Sequence, residues 1–362
     1  MNAYLMDSMK SHDYIRRIIF SITVVLLAVS RQIASASKDE NPRTESHQQA
    51  ETILLYQRNS GGWPKNYERE EKLSKKARSK VLSEKNKNDA MIDNGATHAE
   101  IRLLADAYHE SSDNRFRDAA IKGINYLLTA QYDNGGWPQR FPEPTGYAKH
   151  ITFNDNAMIG AMSLLRDILV DRKRFSFVSK DVRAQCEMAI ERGIRCILKC
   201  QIKVNGRRTV WCAQHDEKTF QPRKARSYEL PSFSGRESVK IVRFLMQIDQ
   251  PSKQVIEAID GAVTWFDQSK LEGIKQVRVE DPTKPGGHDK IIVKDGNASP
   301  MWARFYDIKT NDPIFCSRDG VPRKTLAEIS HERRNGYSWL GYYARDLLAE
   351  DLPAWGKRLG RR

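Results

Sequence analysis

Three polar clusters stand immediately before apolar segments of helical period. "MIDNGATHAE" (91–100) offers Asp93 and Asn94, and "ITFNDNAM" (151–158) offers Asn154, Asp155 and Asn156. The stretch 211–238 offers His215, Asp216, Glu217, Arg226, Glu229 and Arg236. Carboxylate and amide oxygens without a completing His or Cys set suit a hard cation such as Ca²⁺. The same residue types cap helix N-termini, and the sequence leaves both roles open. Further on, "PMWARFYDI" and "FCSRDGVPR" place Arg304 and Arg318 beside aromatic or turn residues. A guanidinium fork matches a carboxylate, so these two read either as a carboxylate-binding surface or as structural ion-pair partners.

Positioning such residues falls to a degenerate repeat. "AIKGINYLLTAQ" (120–131) and "AIERGIRCILKCQ" (189–201) align on their final Gln and share an internal Gly-Ile. "ETILLYQ" (51–57) and the weaker "AIDGAVTWFDQ" (258–268) extend the series. The first three copies recur at a spacing of about 70 residues and lead to Trp63, Trp137 and Trp211. A second helix type alternates with them: Ile101, Leu104, Ala105 and Tyr108 share one helical face, as do Met158, Met162, Leu165 and Leu169, and Ile241, Leu245 and Ile248. Each unit therefore reads as a helical hairpin. Several hairpins predict an all-α fold, a short irregular (α/α) ring of inner and outer helices, with an open solenoid as the alternative. "KQVRVE" and "KIIVK" around "DPTKPGGHD" predict one small β hairpin, and the charged run near residue 70 a solvated helix or loop. In "GGWP", found twice, Gly-Gly ends a helix and Pro64 or Pro138 stops its continuation, so both read as hairpin corners, with Trp137 the better placed to border a ligand.

The chain has 362 residues and a formal net charge of +14, which favours anionic partners. The basic residues are scattered and no nucleic-acid recognition motif is present, which argues against a nucleic-acid binder. Arg16 and Arg17 precede the apolar run Ile18 to Ser30, and Ala34 and Ala36 form an A-x-A site. This predicts a signal peptide over 1–36 and a secreted or periplasmic protein; a retained anchor is the alternative. A linker over 37–50, a main domain over 51–350 and a basic tail over 351–362 complete the expected organisation. Five Cys at irregular spacing form no disulfide framework, and Cys196 and Cys200, one helical turn apart, read as buried thiols.

In order, the chain also reads "NSGGWPKN", "IDNGATHAE", "AQYDNGGWPQR", "ITFNDNAM", "WCAQHDE", "ARSYELPSFSGRES", "MWARFYDI", "RDG" and "ERRNGYSWLG". From about Glu51 to Tyr343 this series resembles the pectate lyases of polysaccharide lyase family 10. The resemblance implies a toroid of three hairpins and Ca²⁺-dependent anti β-elimination of polygalacturonate to unsaturated oligogalacturonides. It implies Asn94 and Asp155 as Ca²⁺ ligands with Asp93 beside them, Arg226 as the base, and Arg304 and Arg318 as carboxylate holders. His215 and Trp137 join these as expected substrate contacts, and the protein is expected to be a monomer. The family commonly reads "FNDD"; Asn156 stands here where a second Asp would. An arginine base predicts an alkaline optimum. A glycoside hydrolase using Asp93 and Asp155 as acid and base, and a non-catalytic polyuronate binder, are the competing readings.

Overall fold

The 3.6-residue period is realised as helices over the described residues, 42–360, of the computed structural model. The expected signal peptide lies outside the described residues. After α1 (Pro42–Tyr56) and the exposed α2 (Lys75–Ser83) come three helical hairpins. They are α3 (His98–Ser111) with α4 (Asn114–Ala130), α5 (Ala157–Val170) with α6 (Lys180–Cys200), and α7 (Glu237–Met246) with α8 (Lys253–Gln268). Helices α3, α5 and α7 pack side by side as the inner layer, and α4, α6 and α8 as the outer. Inner α5 is buried on most sides, through Met158, Ile159, Met162, Leu164, Leu165 and Ile168. This is the helical toroid of three hairpins that the repeat predicts.

The repeated Gln, Gly and Trp each have a physical task. Gln57 Nε2 donates to the Gly61 and Ala119 carbonyls at 2.8 and 2.9 Å. Gln131 does the same to Gly135 and Ala189 at 3.0 and 2.9 Å, and Gln201 to Thr209 and Ala258 at 2.8 Å each. Each Gln thus closes its own loop and latches the next outer helix. The Trp indoles turn inward and donate to helix carbonyls: Trp63 to Ile53, Trp137 to Leu127 and Trp211 to Ile197, at 2.7–2.8 Å. Gly193 leaves room for this packing, since a Cβ there would stand 2.6 Å from Met162 Cε and 3.2 Å from the Trp137 ring.

Outer helices start conventionally. Asp113, Ser179 and Ser252 each accept a backbone N–H from the first turn of α4, α6 and α8. Beyond the hairpins, β1 (Ile274–Glu280) and β2 (His288–Lys294) form the expected antiparallel ribbon, in register from Ile274 opposite Lys294 to Glu280 opposite His288. Helix α1 runs unbroken through Ala50, and the residues expected as a tail contain α9 (Leu352–Arg358), with Trp355 buried. All five Cys are buried and unpaired, Cys196 and Cys200 as expected among them. No helix among the described residues is long and apolar enough to cross a membrane.

Candidate active site

Each Trp corner hooks the segment that leads into an inner helix. The carbonyls of Trp63, Trp137 and Trp211 accept the N–H of Met91, Thr152 and Ser234 at 2.9, 3.2 and 2.7 Å. Three residues beyond each hook stand Asn94, Asp155 and Glu237; two beyond stand Asp93, Asn154 and Arg236. Asn94 and Asp155 both adopt a left-handed backbone, with φ of 52° and 47°. Non-glycine residues enter that region at a cost, and Asn and Asp tolerate it best. The two turns pack against each other, as the repeat equivalence of Asp93/Asn94 and Asp155 requires. Neither residue caps a helix: the N-cap positions of α3 and α5 are Thr97 and Asn156, and neither makes a side-chain cap bond. The capping alternative is therefore not what the structure shows.

Together these turns line a cavity of about 60 Å³, closed by Gln214, Arg226 and Glu229 and entered by Lys65 and Gln139. Lys65 and Gln139 each stand two residues after the Trp of "GGWP". The motif puts its Trp in the core and its next polar residue in the site. That offset was the legible signal for both residues, which the sequence reading missed.

The cavity is an arrangement of matched charges. Asp93 is buried; its Oδ2 takes the Lys65 ammonium, while its Oδ1 accepts no hydrogen bond among the described residues. Buried Gln214 Oε1 is likewise unpartnered. An unmatched buried oxygen is costly unless something else meets it. Asp155 Oδ1 receives Arg236 at 3.0 Å and Arg304 at 3.3 Å, and its Oδ2 receives the Asn154 amide at 2.8 Å. Burial pushes the Asp155 carboxyl up, but Arg304 and then Arg236 outweigh it and hold it below the usual range. Arg236, an unassigned member of the third polar cluster, is thus a second cation on Asp155.

Arg226 lies against the rings of Tyr228 and Tyr337, 5.1 and 5.7 Å from their centroids. Its Nε donates to Glu229 Oε2 at 2.8 Å and its Nη2 to Oε1, while the Tyr337 hydroxyl donates to Oε1 at 2.7 Å. Burial alone would lower the Arg226 pKa; the hydrogen bonds and charge of Glu229 more than reverse that and raise it. The free guanidinium is therefore held firmly in its charged form.

Of the four expected substrate contacts, Arg304, His215 and Trp137 are buried in the protein and Arg318 is exposed. Arg304 is buried, and its Nη2 donates to Glu237 at 2.6 Å and to Asn154 at 2.9 Å besides Asp155, so it is an ion-pair partner inside the protein. Arg318 is exposed and pairs with Glu332 at 3.0 Å. His215 is fully buried: its Nδ1 meets the Phe220 carbonyl at 2.8 Å and its Nε2 accepts the Cys212 N–H at 3.0 Å. With both ring nitrogens engaged, burial pushes its pKa down to about 4. Trp137 is fully buried as well, which makes both "GGWP" stretches structural corners and gives neither Trp a sugar face.

The donor set fits a hard cation. Asp93, Asp155, Asn94 and Gln214 all bring oxygen donors to the lining of one small cavity, among them the buried Asp93 Oδ1, which accepts no hydrogen bond among the described residues. A second cluster, His150 with Asp216 and Glu217, is already neutralised by Lys149 and Arg223.

Residues 57–348 match the family model described as pectic acid lyase. Among solved structures, the chain is similar to a mutant of the family 10 polysaccharide lyase from Cellvibrio cellulosa in complex with trigalacturonic acid. The two are 37% identical with a TM-score of 0.74, over 85% of this chain and 92% of that one. A second structure of the family 10 lyase from Cellvibrio cellulosa is 35% identical with a TM-score of 0.72, over 89% of this chain and 98% of that one. No curated protein matches the chain. With the family model covering most of its length and the charged cavity lying within the matched span, the chain belongs to the pectic acid lyases.

Proposed function

We propose that the protein is a Ca²⁺-dependent pectate lyase that cleaves polygalacturonate by anti β-elimination. The observation that carries this reading is the juxtaposition of the unmatched Asp93 carboxylate oxygen, ionised Asp155 and Arg226 around one cavity. Asp155, Asp93 and Asn94 would hold the cation, which when bound withdraws charge from a uronate carboxylate. The relative's complex with trigalacturonic acid supports polygalacturonate as the substrate.

Elimination needs the proton at C5, next to the carboxylate, to leave as the C4–O bond breaks. Arg226 is the residue assigned to that proton. A charged guanidinium has no lone pair to accept it, so Arg226 acts only after giving up its own proton, and the rate rises with pH. Tyr228 and Tyr337 fix the guanidinium plane. Arg304 and Arg236 orient Asp155 and keep it ionised. A hydrolase with Asp155 as general acid needs a raised carboxyl pKa, opposite to the direction found. Arg318, exposed and 5.8 Å from the centroid of the Tyr228 ring that Arg226 also faces, remains the candidate contact for a substrate carboxylate. The Arg16-Arg17 pair and the apolar run after it support export through a signal peptide. The region from Ala50 onward is proposed as one catalytic unit, acting as a monomer.

One assay tests this: near-ultraviolet absorbance of the unsaturated product on polygalacturonate, with and without chelator, for the parent and Arg226→Ala. The parent is expected to form product only with Ca²⁺, and the variant to lose a hundredfold or more, about the contribution of a general base. Product formation unchanged by both losses sinks the reading.

A further inference from the structure

A basic groove of about 590 Å³ lies on the outer wall, between the end of α6, the segment after it and the loop 216–222. Arg195, Lys199, Lys203 and Arg208 line it, and no carboxylate does. Their ion pairs are long: Arg195 meets Glu191 at 3.8 Å and Arg208 meets Glu257 at 4.0 Å, while Arg208 Nη1 also donates to Gln201 Oε1 at 3.1 Å. Phe220 forms part of its wall, with the Lys199 ammonium 5.2 Å from the ring centroid, and Pro222 stands beside it.

Phe220 is not there by default. Its φ is +63°, a region that an aromatic residue rarely occupies. The surroundings over-determine it: its N–H donates to the Asp216 carbonyl at 3.0 Å, and its own carbonyl meets the ring of fully buried His215. Asp216 Oδ1 in turn accepts the N–H groups of Lys218 and Thr219 at 3.0 and 2.9 Å. Backbone strain maintained this way points to a function for the side chain it presents. His215, which makes no substrate contact, is the buried post that holds it.

We propose that this groove is a second polyuronate-binding site, separate from the catalytic cavity, in which Phe220 stacks on a sugar face and the four cations take successive carboxylates. An aromatic platform among cations suits a chain that carries one carboxylate per sugar ring. Gln214 borders the catalytic cavity and its neighbour His215 anchors the groove, so one short segment connects the two sites. The site would hold the polymer near the cavity rather than contribute to bond cleavage. The choice of ligand rests on the pectate reading.

The test is affinity electrophoresis in gels containing polygalacturonate, in an Arg226→Ala background where product formation is suppressed, with trigalacturonate turnover measured in the parent background. Lys199→Ala/Lys203→Ala is expected to weaken retention about tenfold, and Phe220→Asn, which keeps a residue tolerant of positive φ, several-fold. Trigalacturonate turnover is expected to stay unchanged. Unaltered retention, an equal loss from Lys75→Ala/Lys76→Ala on α2, or a preference for duplex DNA of equal charge overturns the proposal. Retention that depends on these residues in a protein yielding no unsaturated product supports this site and sinks the lyase reading instead.

Discussion

The outer and inner helices begin in opposite ways. Asp113, Ser179 and Ser252 cap the outer helices with ordinary side-chain hydrogen bonds. The inner helices have no side-chain cap at their N-cap residues, and the polar residues ahead of α3 and α5 sit in left-handed turns that line the cavity, their oxygens accepting from Lys65, Arg236 and Arg304. The same residue types thus cap helices on one layer and line the charged cavity on the other. The inner turns give up local stabilisation of about 1 kcal/mol per cap and adopt backbone conformations that cost more. Within the inner layer the third unit departs again: the position of Asn94 and Asp155 is taken by Glu237, and that of Asp93 and Asn154 by Arg236. The repeat brings the turns of Asn94 and Asp155 together, and the departing third unit supplies Arg236 to Asp155 and Glu237 to Arg304.

Four substitutions probe this contrast, in falling order of expected effect. Asp155→Asn keeps the shape of its turn but removes the charge, and turnover is expected to fall about a thousandfold with the thermal midpoint little changed. A drop in stability with turnover intact would make the inner turn structural like the outer ones. Glu237→Ala leaves buried Arg304 short of a partner; a loss of about 3 kcal/mol in urea unfolding is expected, with activity falling because Asp155 is then held less well.

Glu229→Gln acts on the pH profile. Glu229 raises the Arg226 pKa, so removing its charge lets the guanidinium deprotonate at lower pH. The alkaline rise of kcat/KM is expected to move down by about one unit or more, read from pH–rate profiles. A profile that does not move removes Arg226 titration from the mechanism. Ser179→Ala, on the outer layer, is expected to cost about 1 kcal/mol and leave kcat and KM as they were; a change in KM would erase the distinction between the layers.

The frame was largely legible because periodicity and corner motifs are local. Gly123 with Gln131, and "GGWP" with its proline stop, announce hairpins from a few nearby residues. The acid turns were legible too, since Asp93, Asn94 and Asp155 lie at equivalent positions and the structure brings them together. What the sequence hid is partnership over long separations. Nothing near Arg304 reveals that Asn154 and Asp155, some 150 residues earlier, will share its guanidinium. Nothing near His215 reveals that burial will consume both its nitrogens, and a histidine in a polar stretch reads as a surface contact until its neighbours are known. Charge types were readable; which charges neutralise which depends on closure of the ring.

The glutamine latches have a consequence for how the protein comes apart and how its lineage could lengthen. Gln57 ties α1 to α4, Gln131 ties α4 to α6, and Gln201 ties α6 to α8, always one outer helix to the next. At the far end Trp302 takes over, donating to the Phe266 carbonyl of α8 at 2.9 Å. The couplings are thus nearest-neighbour links in a row with a distinct closing piece. Amide exchange should then proceed in blocks of one hairpin each, and a whole hairpin inserted between two latches would meet the same bonds on both sides.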